Sequence, residues 1–297
     1  MKNLQKILLL FILISFAFAC YDVIEVDLDD AEPRPVIEAQ LFDKYRPAMV
    51  VLSKSTAFFG VLEFEFISDA QIELNDDLGN SVSFMETDSS GVYMANFNGT
   101  PGRTYNLTVT TDDGIFTAQS SMQESLRIDS LSVISLNQEF GMPTEELGLY
   151  CHFTNPPGQS DYLQFRLYKN FEPMPALYLM DDFYTDGRSF DFFFYSDFTE
   201  PNDTLIVEML TMDADVYDYL YTLSEVAGSS GTGTATPYNP NTNLSNGALG
   251  YFGAFGIDIA MIIAEEGAVT VPDKSSDEYK KALKRIRNKQ KAPFGFN

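Results

Sequence analysis

The chain of 297 residues has two cysteines and one histidine, so soft metal ligands are scarce, and two of the three are neighbours, Cys151 and His152. Adjacent residues of a strand point to opposite faces, so this pair cannot close on one ion and no zinc site is expected. Cys151 reads as a small buried hydrophobe, not a reactive thiol. Only His152 could serve a Ser-His-Asp arrangement, and no G-x-S-x-G turn is present to expose a serine beside it. Gly228-Ser229-Ser230-Gly231 lacks the lysine and the strand-to-helix setting of a phosphate cradle. Carboxylates are plentiful, with 43 Asp and Glu. A glycosidase pair could be drawn from Asp181, Asp182 and Asp191, but surface solvation accounts for any single member of so large a set. Asp213, Asp215 and Asp218 offer oxygen ligands for calcium without the spacing of an EF-hand loop, and they stand where acidic residues cap a helix. The expectation is therefore no metal, no cofactor and no enzyme. A carboxylate-dependent glycan hydrolase is the catalytic alternative, and a structural surface protein without a ligand is another.

Recognition chemistry is better represented. Tyr178, Phe183, Tyr184, Phe190, Phe192, Phe193, Phe194, Tyr195 and Phe198 crowd one stretch. Alternate strand residues face opposite ways, so Phe192 and Phe194 share one side while Phe193 and Tyr195 share the other. Both sides could be core, or one could be an exposed patch. The segment Gly228–Gly250 is long and rich in Gly, Ser, Thr and Asn, and a loop of that length needs a reason. Tyr238, Asn239, Asn241, Asn243, Asn246 and Tyr251 could form a partner or ligand surface of amides and rings. Alternatively the segment closes its domain, Asn and Gly supplying unusual backbone angles while Leu249, Tyr251 and Phe252 plug the core.

The elements that would position these residues are mostly strands. Val36–Leu41, Met49–Leu52 and Ala70–Leu74 have strand composition, and Thr104–Thr110 with Ile115–Ala118 forms a hairpin about Thr111-Asp112-Asp113-Gly114. Residues 34–122 thus predict an antiparallel sandwich of immunoglobulin-like size. Ile128–Leu136, Leu147–Phe153, Tyr162–Tyr168, Phe190–Tyr195, Leu205–Met212 and Tyr251–Ala264 predict a second β-rich domain over 123–264. Ala214–Ala227 carries its one short helix, with Val216, Tyr219, Leu220, Leu223 and Val226 on one face. The fold class expected is mainly β.

The ends of the chain speak of address. Met1–Lys6 is short and basic, Ile7–Phe18 is an apolar-dominated run, and Ala19-Cys20 follows, which is the layout of a signal peptide over 1–19. The run is shorter than the roughly 20 residues a membrane-spanning helix needs. Ala17-Phe18-Ala19-Cys20 resembles the lipobox of bacterial lipoproteins, with Ala where Leu is usual, so lipid attachment at Cys20 is expected. The same residues would also suit ordinary signal peptidase and plain secretion. Tyr21–Asp30 is acidic and resembles signals that send Bacteroidota lipoproteins to the outer face of the outer membrane; it also reads as a solvated tether over 20–33. A net charge of −24 argues against nucleic acid as a partner. The 265–297 tail is the exception, being basic. Within Glu278–Lys291, Tyr279, Ala282, Leu283 and Ile286 recur at helical spacing. That segment could be a frayed solvated tail, touch anionic headgroups, or dock on the acidic body.

Tyr238-Asn239-Pro240-Asn241-Thr242-Asn243-Leu244-Ser245-Asn246-Gly247-Ala248-Leu249-Gly250-Tyr251-Phe252-Gly253-Ala254 resembles the closing signature of a Bacteroidota lipoprotein family known as domain of unknown function 4249. Ile24–Asp29 with Pro35–Glu38 resembles its opening segment, Val51–Ser55 its second strand and Tyr217–Leu223 its helix. The likeness covers roughly residues 20–264. It implies an outer-membrane lipoprotein, often encoded near TonB-dependent receptors, with no catalytic residues to carry over. The expected function is that of a lipid-anchored binding or accessory component beside such a receptor in nutrient uptake.

Overall fold

Alternation of apolar and polar residues, punctuated by Gly, Asn and Asp turns, produces a body built mainly of strands. A computed structural model describes residues 32–56, 65–158, 162–181, 186–195, 199–228 and 238–289. The signal segment, Cys20, the tether up to residue 31, Asp182, Phe183, Tyr184 and Phe198 lie outside the described residues. So does the stretch 229–237.

The first strands are β1 (Pro35–Phe42), β2 (Ala48–Lys54), β3 (Gln71–Asp76), β4 (Ser81–Ser83), β5 (Met85–Glu86), β6 (Val92–Ala95), β7 (Thr104–Thr111) and β8 (Gly114–Ser121). They are followed by β9 (Ile128–Ser135), helix α1 (Leu136–Phe140), β10 (Leu147–Thr154), β11 (Tyr162–Lys169), β12 (Glu172–Pro173), β13 (Tyr178–Asp181), β14 (Ser189–Phe193) and β15 (Thr204–Met212). Helix α2 (Ala214–Gly228), β16 (Leu249–Ile263), β17 (Val269–Thr270) and helix α3 (Asp277–Lys289) complete the order. A large sheet runs β12-β11-β15-β16-β1-β2-β6-β5, with β13 also on β11, and two smaller sheets run β4-β3-β7-β8 and β14-β10-β9-β17.

Strand β16 joins the two halves. On one side it pairs parallel to β1, Glu38 opposite Tyr251 and Phe42 opposite Phe255. On the other it pairs antiparallel to β15, Leu210 opposite Ile257 and Glu208 opposite Ile259. The sequence-based segments 34–122 and 123–264 therefore contribute neighbouring strands to one sheet, and residues from Pro33 on group as one compact unit. Gly250 makes the close β1 approach possible. Its φ is +95°, and a Cβ there would lie 2.1 Å from the Ile37 carbonyl oxygen, which only a glycine tolerates.

Three cores follow from this arrangement. Ile37, Leu41, Val50 and Phe252 of the large sheet pack against Leu74, Leu107 and Phe116 of β4-β3-β7-β8. Phe165, Val207, Met209 and Ile262 pack against Leu131, Leu149, Cys151 and Phe153 of β14-β10-β9-β17. Met122 belongs to the first core and Leu126 to the second, and the late residues Leu244, Ala248, Phe252 and Ala254 return to the first. The outer face of the large sheet carries Ile206, Leu210, Tyr251, Phe255 and Ile257, covered by Val216, Tyr219 and Leu220 of α2 and by Tyr279 and Ile286 of α3. As expected, Cys151 is fully buried, and burial pushes its thiol up.

The helix predicted over 214–227 forms as α2. Asp213 caps it, its carboxylate accepting from the Val216 amide at 3.0 Å and from Ser120 Oγ and the Ser121 amide, each at 2.7 Å, which satisfies donors that a helix start leaves open. For the segment Glu278–Lys291 the reading as a frayed tail is corrected, and the alternative of a helix docked on the body is what α3 shows. Tyr279, Ala282 and Ile286 are buried, the Tyr279 hydroxyl donates to the Ile259 carbonyl at 3.2 Å, and Lys274 just before the helix pairs with buried Asp258. The apolar stripe wins because docking removes both it and the sheet residues beneath it from water.

Under these helices the sheet face also holds polar groups. Arg46 pairs with fully buried Glu208, whose other oxygen accepts from the Tyr168 hydroxyl at 3.1 Å. Gln40 Nε2 donates to the Tyr251 hydroxyl at 2.5 Å. Glu38 lies in the same row as Tyr251, and burial raises its carboxyl from 4.5 to about 7. Between those values the folded chain keeps Glu38 protonated while the unfolded chain has ionised. The stability this carboxyl contributes is complete below about 4.5 and is lost as pH rises through about 7. Replacing Glu38→Gln should raise Tm at pH 8, by roughly 2–4 °C for each kcal/mol recovered, and change it little at pH 4. Thermal melts at both values check this, and an equal shift at the two contradicts it.

Candidate functional site

The Asn-rich segment 238–250 lies against strand β8, the edge of its sheet, and stitches it to β16 and α2. Leu244 bridges Ala118. Thr117 and Ser245 exchange bonds: the Ser245 amide donates to the Thr117 carbonyl at 2.9 Å, and the Thr117 amide donates to Ser245 Oγ at 2.8 Å. An edge strand's unpaired backbone is thereby covered. Asn243 spans two elements, Nδ2 donating to the Gln119 and Phe252 carbonyls at 3.0 and 2.8 Å while Oδ1 accepts from the Phe252 amide at 3.0 Å. Asn246, at φ +56°, donates to the Ile115 carbonyl at 2.5 Å. Asn241 donates to Asp218 on α2 at 2.7 Å, and Tyr238 donates to Glu225 at 3.0 Å. Asn239 is exposed.

Of the expected surface residues, Tyr251 is corrected: it is 3% exposed and stacks on Tyr219 at 4.8 Å, so its ring is core and offers no free stacking face. Burial raises its hydroxyl to about 12. Asn243 and Asn246 are likewise spent on backbone partners. What the segment leaves open is a groove of about 450 Å³ between itself and the outer face of the β7–β8 hairpin, lined by Asn106, Thr108, Thr117, Gln119, Thr242, Asn243 and Ser245 over Leu107, Ala118 and Leu244. Asn106 stands opposite Gln119 and Thr108 opposite Thr117. Gln119 Nε2 donates to Asn106 Oδ1 at 2.9 Å, and among the described residues Asn106 Nδ2 and Gln119 Oε1, a donor and an acceptor on residues that line the groove, make no other hydrogen bond. Sequence reasoning missed this wall. The hairpin signal alone set its register, but nothing local shows that a segment more than a hundred residues later folds against it.

The aromatic stretch divides by face. Phe192 and Phe194 enter the second core, Phe192 stacking on Phe165 at 4.3 Å, and Tyr178 is buried against both. Phe193 lies on the opposite, half-covered face with Tyr150 at 4.9 Å and Phe140 at 5.3 Å. Asp191, one of the carboxylates weighed for glycan hydrolysis, is bonded to His152.

The bonding of the segment predicts unequal mutational effects. Asn243→Ala strands a partly buried amide and two carbonyls and should cost about 1–3 kcal/mol. Asn239→Ala should stay within about 0.5 kcal/mol. Urea unfolding of both variants checks this, and equal effects would mean that the segment does not hold the body together.

Among the solved structures that this chain matches are two at 11% sequence identity. One is a two-fibronectin-type-III-domain segment from chicken tenascin, with a TM-score of 0.21 over 61% of this chain and 92% of that one. The other is the FN1–FN3 region of chicken CNTN1, with a TM-score of 0.22 over 80% of this chain and 68% of that one. No curated protein matches. The profile described as "Domain of unknown function (DUF4249)" matches residues 21–258. That span takes in the sheet from β1 through most of β16 and the segment that closes the groove, and so the chain belongs to the DUF4249 family.

Proposed function

We propose that this protein is a lipoprotein of the outer membrane of a Bacteroidota species, anchored through Cys20 and facing the cell exterior. There its body acts as a binding or accessory component beside a TonB-dependent receptor in nutrient uptake. The signal-peptide layout ending at Cys20 and the acidic segment behind it support the address. Several acyl chains on one residue, each buried methylene contributing about 0.8 kcal/mol, would hold such a body at the surface without a spanning helix.

The observation that carries the binding reading is the groove beside residues 242–245. In its amide pair, Asn106 and Gln119, one donor and one acceptor are uncommitted among the described residues. Its far wall is fixed by the Asn243 and Ser245 bonds, so a ligand or partner meets a pre-organised surface. Groups of this kind suit a polar, hydroxyl- or amide-bearing partner.

The test joins anchor and groove. Labelled palmitate should enter the protein and fail to enter a Cys20→Ala variant. A receptor should co-purify from detergent-solubilised membranes with the unaltered chain and be lost with Asn106→Ala/Gln119→Ala at unchanged Tm. Palmitate retained in Cys20→Ala removes the anchor. A lone monomer, or retention by the double variant, removes the role of the groove.

A further inference from the structure

We propose that Ser132, His152 and Asp191 form a nucleophilic relay on the outer face of the sheet β14-β10-β9-β17, able to take an acyl group from an activated aryl ester. His152 on β10 stands directly opposite Asp191 on β14, and Ser132 on β9 lies two residues along, opposite Tyr150. His152 Nδ1 is 2.6 Å from Asp191 Oδ1, and His152 Nε2 is 2.7 Å from Ser132 Oγ. An ionised carboxylate can only accept, so Nδ1 carries the proton in the neutral ring, Nε2 offers its lone pair, and the Ser132 hydroxyl donates to it. That is the order of contacts in which a base activates a serine and a carboxylate orients the base. The intervening residues Leu131 and Cys151 are fully buried, so the strand period itself holds the three polar groups on the solvent side.

The same face supplies a seat. Tyr150 lies 6.1 Å from the His152 ring and 4.9 Å from Phe193, an aromatic strip against which a flat aryl group would rest. In the step proposed, Ser132 Oγ bonds to the ester carbonyl carbon as its proton passes to His152 Nε2. The bond from that carbon to the aryl oxygen breaks, and the phenol leaves with the proton from the imidazolium. Water then adds to the acyl-serine, giving a proton to His152. Release of the carboxylic acid returns that proton to Ser132. The amide that follows the nucleophile, Val133 N–H, is committed to the Ala268 carbonyl at 2.9 Å, so it does not stabilise the developing oxyanion. The class of substrate is therefore limited to esters with good leaving groups, which need least of that help.

The probe is 4-nitrophenyl acetate, with nitrophenolate release followed by absorbance and the acetylated peptide found by mass spectrometry. The expected result is acetyl on the peptide holding Ser132, absent in Ser132→Ala. His152→Gln should slow acylation by about 100-fold or more. Asp191 positions the base. Asp191→Asn, whose side chain is 66% exposed in the parent and so least able to disturb the fold, should slow the same acylation with half-saturating ester concentration and Tm unchanged. Acetyl found on lysines alone, or release indifferent to both His152→Gln and Asp191→Asn, overturns the proposal.

Discussion

The structure depends on one constraint: a single strand, β16, buried on both faces along nearly its whole length, with a parallel neighbour on one edge and an antiparallel one on the other. Its inward residues serve two cores in succession, Phe252 and Ala254 the first, Ala260 and Ile262 the second. Its outward residues Tyr251, Phe255, Ile257 and Ile259 meet the helices. Such a strand has no solvent side on which a polar residue is harmless. Its one carboxylate, Asp258, is accordingly satisfied twice, by the Ile128 amide at 2.9 Å and by Lys274. That single side chain ties the start of β9 and the approach to α3 to the strand between them.

Other buried polar groups work in the same way. Ser120 donates to the Asp213 cap and accepts from the Ala254 amide at 2.9 Å, so the hairpin of the first sandwich, the start of α2 and β16 meet at one hydroxyl. Asp43 accepts from the Ile257 amide at 3.0 Å. The Arg46–Glu208 pair joins the loop after β1 to β15. Each bond bridges segments far apart in sequence. Removal of either member of a buried pair leaves the other uncompensated, at about 3–5 kcal/mol, so the polar groups specify which strands may neighbour one another.

The individual strands were largely legible in the sequence. Thr104–Thr110, Leu205–Met212 and Tyr251–Ala264 were readable from period and punctuation, and the α2 stripe was readable from Val216, Tyr219 and Leu220. Long-range pairing was not, because β1 and β16 meet in parallel across some two hundred residues of intervening chain, and no turn records that register. The α3 stripe was readable too, but its periodicity alone did not choose between a solvated tail, lipid headgroups and the body on which it docks. At the candidate site the sequence showed an unusual Asn-rich segment, but its amides proved to be mortar for β8 and β16, while the open groove belongs equally to a hairpin face that reads as ordinary solvent-facing Thr and Asn. Ser132, His152 and Asp191 lie on three strands. Their meeting follows from the β9–β10–β14 register alone, which no motif announces.

If β16 makes one structure of two sandwiches, the cores cannot melt apart. Differential scanning calorimetry of the whole chain tests this most directly. The account predicts a single transition whose calorimetric and van't Hoff enthalpies agree. Two resolved transitions, or a calorimetric enthalpy about twice the van't Hoff value, would show that the halves unfold independently and that the shared strand does not govern the fold.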